Sequence, residues 1–284
     1  MGLEDPATVH LTCMSATQSA AGTAHRAARS DTLKNMTRFG FIGYGVMHAL
    51  IAWLAVQIAF GHPPQEGDQS GAFQFLAEKP FGKVFLFVLA VGLVAMTVWQ
   101  AVSAAIGHTD EQGGRRTAER VFSGGRAIIY GLLAWTAFRI SFGSGQSSAD
   151  KQQSATSTML SSTGGRWLVA LAGLVVIGFG IGMAWYGLAA KFERKLQLPN
   201  QATRKTARLL GRIGYTAKGA AFVIVGILLL LAAVHRDPSK SRGLDQALRS
   251  LADQPFGPWL LALVAAGFLA FAVFCVFQAR YRKV

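Results

Sequence analysis

The segment Leu76-Ala77-Glu78-Lys79-Pro80-Phe81-Gly82 returns later as Leu251-Ala252-Asp253-Gln254-Pro255-Phe256-Gly257. Pro and Gly end a helical segment and turn the chain. Each copy leads into a long uncharged run. Val84 to Gly107 contains no Asp, Glu, Lys or Arg, and neither does Gln254 to Ala279. A helix that crosses a bilayer needs about 20 such residues. A turn that leads into a span, found twice, predicts a repeated membrane unit.

Working outward, Phe39 to Gly61 and Trp167 to Ala190 are also free of charge. Gly219 to Val234 lies between Lys218 and His235, and Val121 to Gly143 is interrupted by Arg126 and Arg139. Basic side chains near span ends reach the interface along their aliphatic stems, so both runs are read as spans. The first halves of the units repeat as well. With Arg38 set on Arg120 and Arg212, Ala52-Trp53 falls on Ala134-Trp135 and Phe60-Gly61 on Phe142-Gly143. Gly40 falls on Gly214 and Gly45 on Gly219. The middle copy replaces Pro-Phe-Gly with Thr163-Gly164-Gly165. Ala72 to Ala77 and Leu244 to Leu251 are expected to form short amphipathic helices outside the membrane, because their apolar positions follow helical spacing.

The expected fold is an all-α integral membrane protein with six transmembrane helices. They form three two-helix repeats: 38–108 (spans 39–61 and 84–107), 120–190 (spans 121–143 and 167–190) and 212–280 (spans 213–235 and 257–279). Two spans per unit make the repeats parallel, related by an axis along the membrane normal. That implies a pseudo-threefold bundle.

Composition agrees. Of the 284 residues, 51% are hydrophobic and 15% charged, and mean hydropathy is +0.34. Soluble domains carry about 25% charged residues. The net charge of +14 comes from basic residues that flank apolar runs. That arrangement suits anionic lipid head groups and carries no nucleic-acid motif, so a nucleic-acid partner is not expected. Cys13 and Cys275 are too few for a structural zinc site and are read as free thiols.

Most of the 28 basic residues cluster before span one, between spans two and three, between spans four and five, and after span six. The positive-inside rule then predicts a multi-pass cell-membrane protein with both termini in the cytoplasm. Residues 1–37 lack the apolar core of a cleavable signal and are read as a disordered cytoplasmic tail.

The Arg-led entries and the Leu-Ala-x-x-Pro-Phe-Gly turns resemble the actinobacterial membrane proteins grouped as domain of unknown function family 1206. The resemblance covers about residues 38–280 and departs at the middle turn. It implies three tandem two-helix domains and no activity.

Candidate functional residues follow from depth. His48 sits near mid-membrane, where an ionisable group is a functional hypothesis by default. Its alternative role is a neutral hydrogen bond between helices, and its repeat equivalents Tyr130 and Phe222 share its size without its chemistry. With odd spans around the axis, Tyr44, His48, Tyr130 and Gln57 are the candidates for a lumen or ligand site. Arg38, Arg120, Arg126, Arg212 and Lys218 are the candidates for a basic cytoplasmic rim that meets lipid phosphates. No carboxylate lies in any span, which argues against ion-driven transport. Gly178-x-x-x-Gly182 is a close-packing pattern. The Ser- and Gly-rich stretch 144–162 reads as a flexible connection. No catalytic motif, cofactor motif or metal-ligand spacing is present, so no enzyme, cofactor or metal is expected.

The first reading is a structural or accessory membrane component that binds lipids, a membrane-protein partner or further copies of itself. The alternative is a small pore, transporter or lipid-binding bundle with a site along the pseudo-threefold axis.

Overall fold

The computed structural model describes residues 31–61, 65–106, 113–143 and 147–282. The spans are α1 (Asp31–Ala59), α3 (Gly82–Ile106), α4 (Gly113–Ser141), α6 (Thr163–Leu188), α7 (Gln201–His235) and α9 (Gly257–Tyr281). All six are long and apolar enough to cross a membrane. The chain is an integral membrane protein built from three two-helix repeats. Each repeat also carries a short helix between its spans: α2 (Gln69–Ala77), α5 (Ser148–Leu160) and α8 (Gly243–Ala252).

Two boundaries differ from expectation. α1 begins at Asp31, inside the stretch read as a tail, and residues 1–30 lie outside the described residues. Ser148–Leu160 is helical where a flexible connection was expected. Ser147 caps it, its hydroxyl accepting from Asp150 N at 2.9 Å. An N-cap of this kind stabilises a helix by about 1 kcal/mol, which composition alone does not reveal.

The turn into each even span has a common physical basis. A Cβ on Gly82 would lie 1.7 Å from Leu76 O, and one on Gly257 would lie 2.1 Å from Ala252 O. In the middle copy, which lacks Pro-Phe, a Cβ on Gly165 would lie 2.0 Å from Met159 O. The element kept in all three copies is therefore a glycine under the carbonyls of the short helix. In the first and third copies the preceding phenylalanine takes the left-handed conformation, with φ 59° at Phe81 and 63° at Phe256.

The tight seams run between repeats. α3 packs along α4, α6 along α7, and α9 along α1, while α1–α3 and α7–α9 are looser contacts. Neighbours in space therefore run α4–α3–α1–α9–α7–α6. The ends of this arc, α4 and α6, are the two spans of the middle repeat, and they are not packed along each other. Accordingly, 22% and 17% of their span windows are buried, against 50% for α1 and 44% for α9.

The α6–α7 seam is a glycine zipper of spacing seven. Cβ atoms on Gly173 and Gly180 would meet Gly226 O at 2.9 Å and Gly219 O at 2.7 Å. Small residues let membrane helices approach this closely and gain packing energy. The motif singled out in the sequence, Gly178-x-x-x-Gly182, lies on the other side of α6 with nothing within 4 Å of either glycine.

The short helices close one end of the bundle, termed here the capped face. Phe73 and Leu248 are fully enclosed there. The opposite end, which carries the basic loops, is termed the basic face.

Candidate functional site

Repeat-equivalent residues Tyr44 and Lys218 meet at the centre. Gly45 of α1 and Gly214 of α7 bring both helices close to α9. A Cβ on Gly45 would lie 2.9 Å from Ala272 O, and one on Gly214 would lie 2.7 Å from Phe271 Cα. The Tyr44 and Phe271 rings therefore lie 5.9 Å apart, edge to face. The Lys218 ammonium enters this space. Nζ donates to the Tyr44 hydroxyl at 2.9 Å and sits 4.0 Å from the Phe271 ring centre and 4.8 Å from that of Tyr44.

Lys218 is 6% exposed and lies within a span. Arg212, six residues earlier, donates from Nε to Leu188 O at 2.9 Å at the end of α6. At about 1.5 Å rise per residue, Lys218 is roughly 9 Å further into the bundle. An ammonium has three donors. Among the described residues, only the Tyr44 hydroxyl accepts from Lys218.

His48 is one turn deeper and 2% exposed. Its Nδ1 lies 2.7 Å from Tyr44 O, a contact in which the carbonyl accepts. Its ring stands 4.4 Å from that of Tyr44 and 4.8 Å from that of Phe271. Tyr130 joins from α4, its ring perpendicular to Tyr44 at 5.4 Å. Aromatic rings fill the axis at this depth. Tyr215 and Tyr186 extend the cluster: the Tyr215 ring is 5.2 Å from Phe271 and 5.1 Å from Tyr186. Phe192, in the turn after α6, stacks on Tyr215 at 5.6 Å.

Tyr44, His48, Tyr130 and Lys218 are thus brought together. Gln57 is not. It lies nine residues beyond His48 toward the capped face, about 13 Å along the helix, and its Oε1 is buried without a partner. Tyr186, Tyr215 and Phe271 were not singled out in the sequence. A signal existed, since four of the five tyrosines gather here.

The rim candidates divide. Arg120, like Arg212, serves the preceding repeat: Nε donates to Ala104 O at 2.6 Å and Nη2 to Ala105 O, in the last turn of α3. These carbonyls have no partner within their own helix, so the repeated arginine ties one repeat to the next. Arg38 is exposed. Arg126, equivalent to Lys218, extends back toward the basic face, with Nη2 3.9 Å from Glu119. Lys195, in the turn after α6, lies 3.1 Å from the same carboxylate. Burial, followed by the neighbouring Arg126 charge, pushes the Lys195 ammonium below its ordinary value. Arg282 lies over Phe41 and Trp99, 4.9 and 5.0 Å from their ring centres.

The capped face behaves differently. Arg242 of repeat three meets Glu66 of repeat one at 2.8 Å and Asp150 of repeat two at 2.9 Å. Asp245, fully buried, accepts from Gly67 N at 2.9 Å and pairs with Arg249 at 2.9 Å. One guanidinium therefore joins all three repeats over the axis. Burial raises the Glu66 and Asp68 carboxyls above their ordinary values.

Comparison with known proteins places the repeats. The model of a family described as Domain of Unknown Function (DUF1206) matches residues 39–107, 123–190 and 213–282. The chain is 30% identical over 255 residues to an uncharacterised protein, YxxB, of Bacillus subtilis (strain 168), covering 89% of this chain and 92% of that one. No solved structure matches the chain.

Proposed function

The chain belongs to the Domain of Unknown Function (DUF1206) family, and we propose that it is a membrane-embedded receptor for an anion, a phosphate or carboxylate group taken up beside Lys218 from the basic face. The positive-inside bias of the basic loops supports a cytoplasmic basic face, with both termini on that side of the cell membrane.

The observation that carries this reading is the Lys218 ammonium, buried in a span with no carboxylate. Taking an ammonium out of water costs several kcal/mol. A hydrogen bond from a charged group returns about 1.5–3 kcal/mol. A desolvated cation–π contact adds about 2 kcal/mol. The ion is tolerable as it stands and gains further from an anion on its two unused donors. Arg126 and Lys195 share Glu119 at the basic face, so the approach is also electropositive. The Arg242 cluster and the enclosed Phe73 and Leu248 favour a site reached from one side over a through-going pore.

The test is thermal unfolding of purified protein in neutral detergent, with and without anionic lipid or inorganic phosphate. Saturating ligand stabilises by about 2.7 kcal/mol at a hundredfold excess over Kd. That shift is expected for the natural chain and absent in Lys218→Met. Equal shifts in both would remove the reading.

One observation favours the second reading, a structural or accessory component. Gly178 and Gly182 present a small-residue stripe with nothing opposite it, a surface on which a second membrane helix fits.

A further inference from the structure

We infer that the occupant of the Lys218 site is a phospholipid with an anionic head, which enters sideways between α4 and α6 and leaves its acyl chain against their facing walls. This rests on the anion reading above and adds the molecule and its route.

The arc of helices offers one unsealed seam. α1–α3, α1–α9, α3–α4, α6–α7 and α7–α9 are all in contact, whereas α4 and α6 are not packed along each other. The α6–α7 seam is backbone on backbone. A Cβ on Gly219 would lie 2.6 Å from Gly180 O, and one on Gly226 would lie 2.7 Å from Gly173 O. Such a seam has no side chains to move aside, so entry there would require the helices to separate.

The repeat marks where burial is incomplete. His48, Tyr130 and Phe222 are equivalent positions. His48 and Tyr130 are buried, at 2% and 8% exposed. Phe222 is only partly buried. It meets Phe179 of α6 edge to face at 5.3 Å, and Phe179 is 45% exposed. Phe222 and Phe179 therefore keep accessible surface at the depth where His48 and Tyr130 are enclosed.

The chemistry along the seam changes with depth as a phospholipid does. At the basic face, Lys195 and Arg126 converge on Glu119, and Lys195–Glu119 at 3.1 Å joins the two sides of the seam. Below it stands Tyr186, and deeper still Tyr130 on one side with Phe179 and Phe222 on the other. An anionic head can exchange for Glu119 on the cations and reach Lys218, while its chain lies on rings and aliphatic side chains. A free anion would use only the upper part of this surface.

The experiment places the natural chain in nanodiscs of phosphatidylcholine with trace phosphatidylglycerol carrying a photoactivatable diazirine in its acyl chain. Illumination is followed by peptide mass spectrometry. The expected result is adducts concentrated on α4 and α6 around Tyr130 and Phe179. Excess unlabelled phosphatidylglycerol should compete them away, and phosphatidylcholine or inorganic phosphate should not. In Lys218→Gln the competed fraction should fall by about tenfold, the loss of roughly one strong polar contact. Adducts spread over all six spans and resistant to competition overturn the lateral route, while Lys218-dependent lipid retention in native mass spectrometry would leave the anion site standing. Absence of that retention removes both. Competition by inorganic phosphate makes a free anion the occupant and overturns the lipid. The competition arms use the natural chain, so the route is tested independently of how the variant folds.

Discussion

The two ends of the axis solve the same assembly problem with opposite charge logic. At the capped face, Arg242 is met by carboxylates from repeats one and two, and Asp245 is satisfied by Arg249 and a backbone N–H. Toward the basic face, Lys218 has a hydroxyl and two rings and no carboxylate. Charge that is balanced holds a structure together. Charge left unbalanced in a low-dielectric setting is retained at a cost in stability, and such costs concentrate where a protein binds something.

This contrast predicts opposite signs for charge removal. Asp245→Ala leaves the buried Gly67 N–H without its acceptor and frees Arg249, whose side chain is 41% exposed and can turn to solvent, so the cost is about 1–3 kcal/mol. The expected outcome is a fall in Tm, read by thermal unfolding in detergent. Lys218→Met removes an ion that has no ionic partner. Met keeps the volume and removes the desolvation cost of the ammonium, which offsets the lost hydrogen bond to Tyr44, so the ligand-free variant should melt close to or above the natural chain. A fall comparable to that of Asp245→Ala would show that Lys218 is structural and would erase the contrast.

Acid sharpens the same comparison without changing atoms in the axis. Glu66 at the capped face has a carboxyl raised above its ordinary 4.5, chiefly by burial. A raised carboxyl favours the folded state when protonated, so its contribution declines as pH rises through and above 4.5. Glu193 at the basic face is lowered from 4.5, chiefly by its hydrogen bond from Arg208. Its contribution is present above 4.5 and is lost as pH falls below it. Melting curves of Glu66→Gln and Glu193→Gln across this range should therefore differ from the natural chain with opposite pH trends. Parallel trends would mean that the two ends are not electrostatically distinct.

The smallest expected effect is at Gly178. Nothing lies within 4 Å of a Cβ there, so Gly178→Leu should change monomer stability by less than about 0.5 kcal/mol. A marked change in oligomeric size on gel filtration would instead promote the structural or accessory reading.

The six spans and the triple repeat were legible because absence of charge and the Leu-Ala-x-x-Pro-Phe-Gly turn are local signals. The turn at Phe81 and Phe256 was readable as punctuation, although the part preserved in the middle copy is only Gly165. Short helix α5 was hidden by a Ser-rich composition in which one serine is a cap. The glycine zipper was in plain view at 173, 180, 187, 219 and 226, yet a spacing of seven means little until a second helix is known to lie opposite. Within the site, Tyr44, His48 and Tyr130 were grouped because the repeat puts equivalent positions at comparable depth, whereas Lys218 was read as part of the cytoplasmic rim and is instead buried against Tyr44. Tyr186, Tyr215 and Phe271 were missed because they approach only through packing between repeats. Gln57 was grouped with the others by face, while its depth sets it apart.

The neighbour order of the spans also bears on how the bundle is made. α3 and α4, and likewise α6 and α7, follow each other in the chain and can pair soon after each second member is synthesised. α1 packs against α9, the last span, and Gln197 N reaches Tyr281 O at 2.7 Å beside that junction. α1 must therefore wait in the bilayer for its main partner, packed along α3 and touched through Tyr44 by α4 and α7, until α9 has been synthesised. Contacts between distant parts of a chain form late and slowly. Truncation before α9 would leave Gly45 without the Ala272 backbone and Tyr44 without the Phe271 ring, so this seam is completed only when α9 arrives.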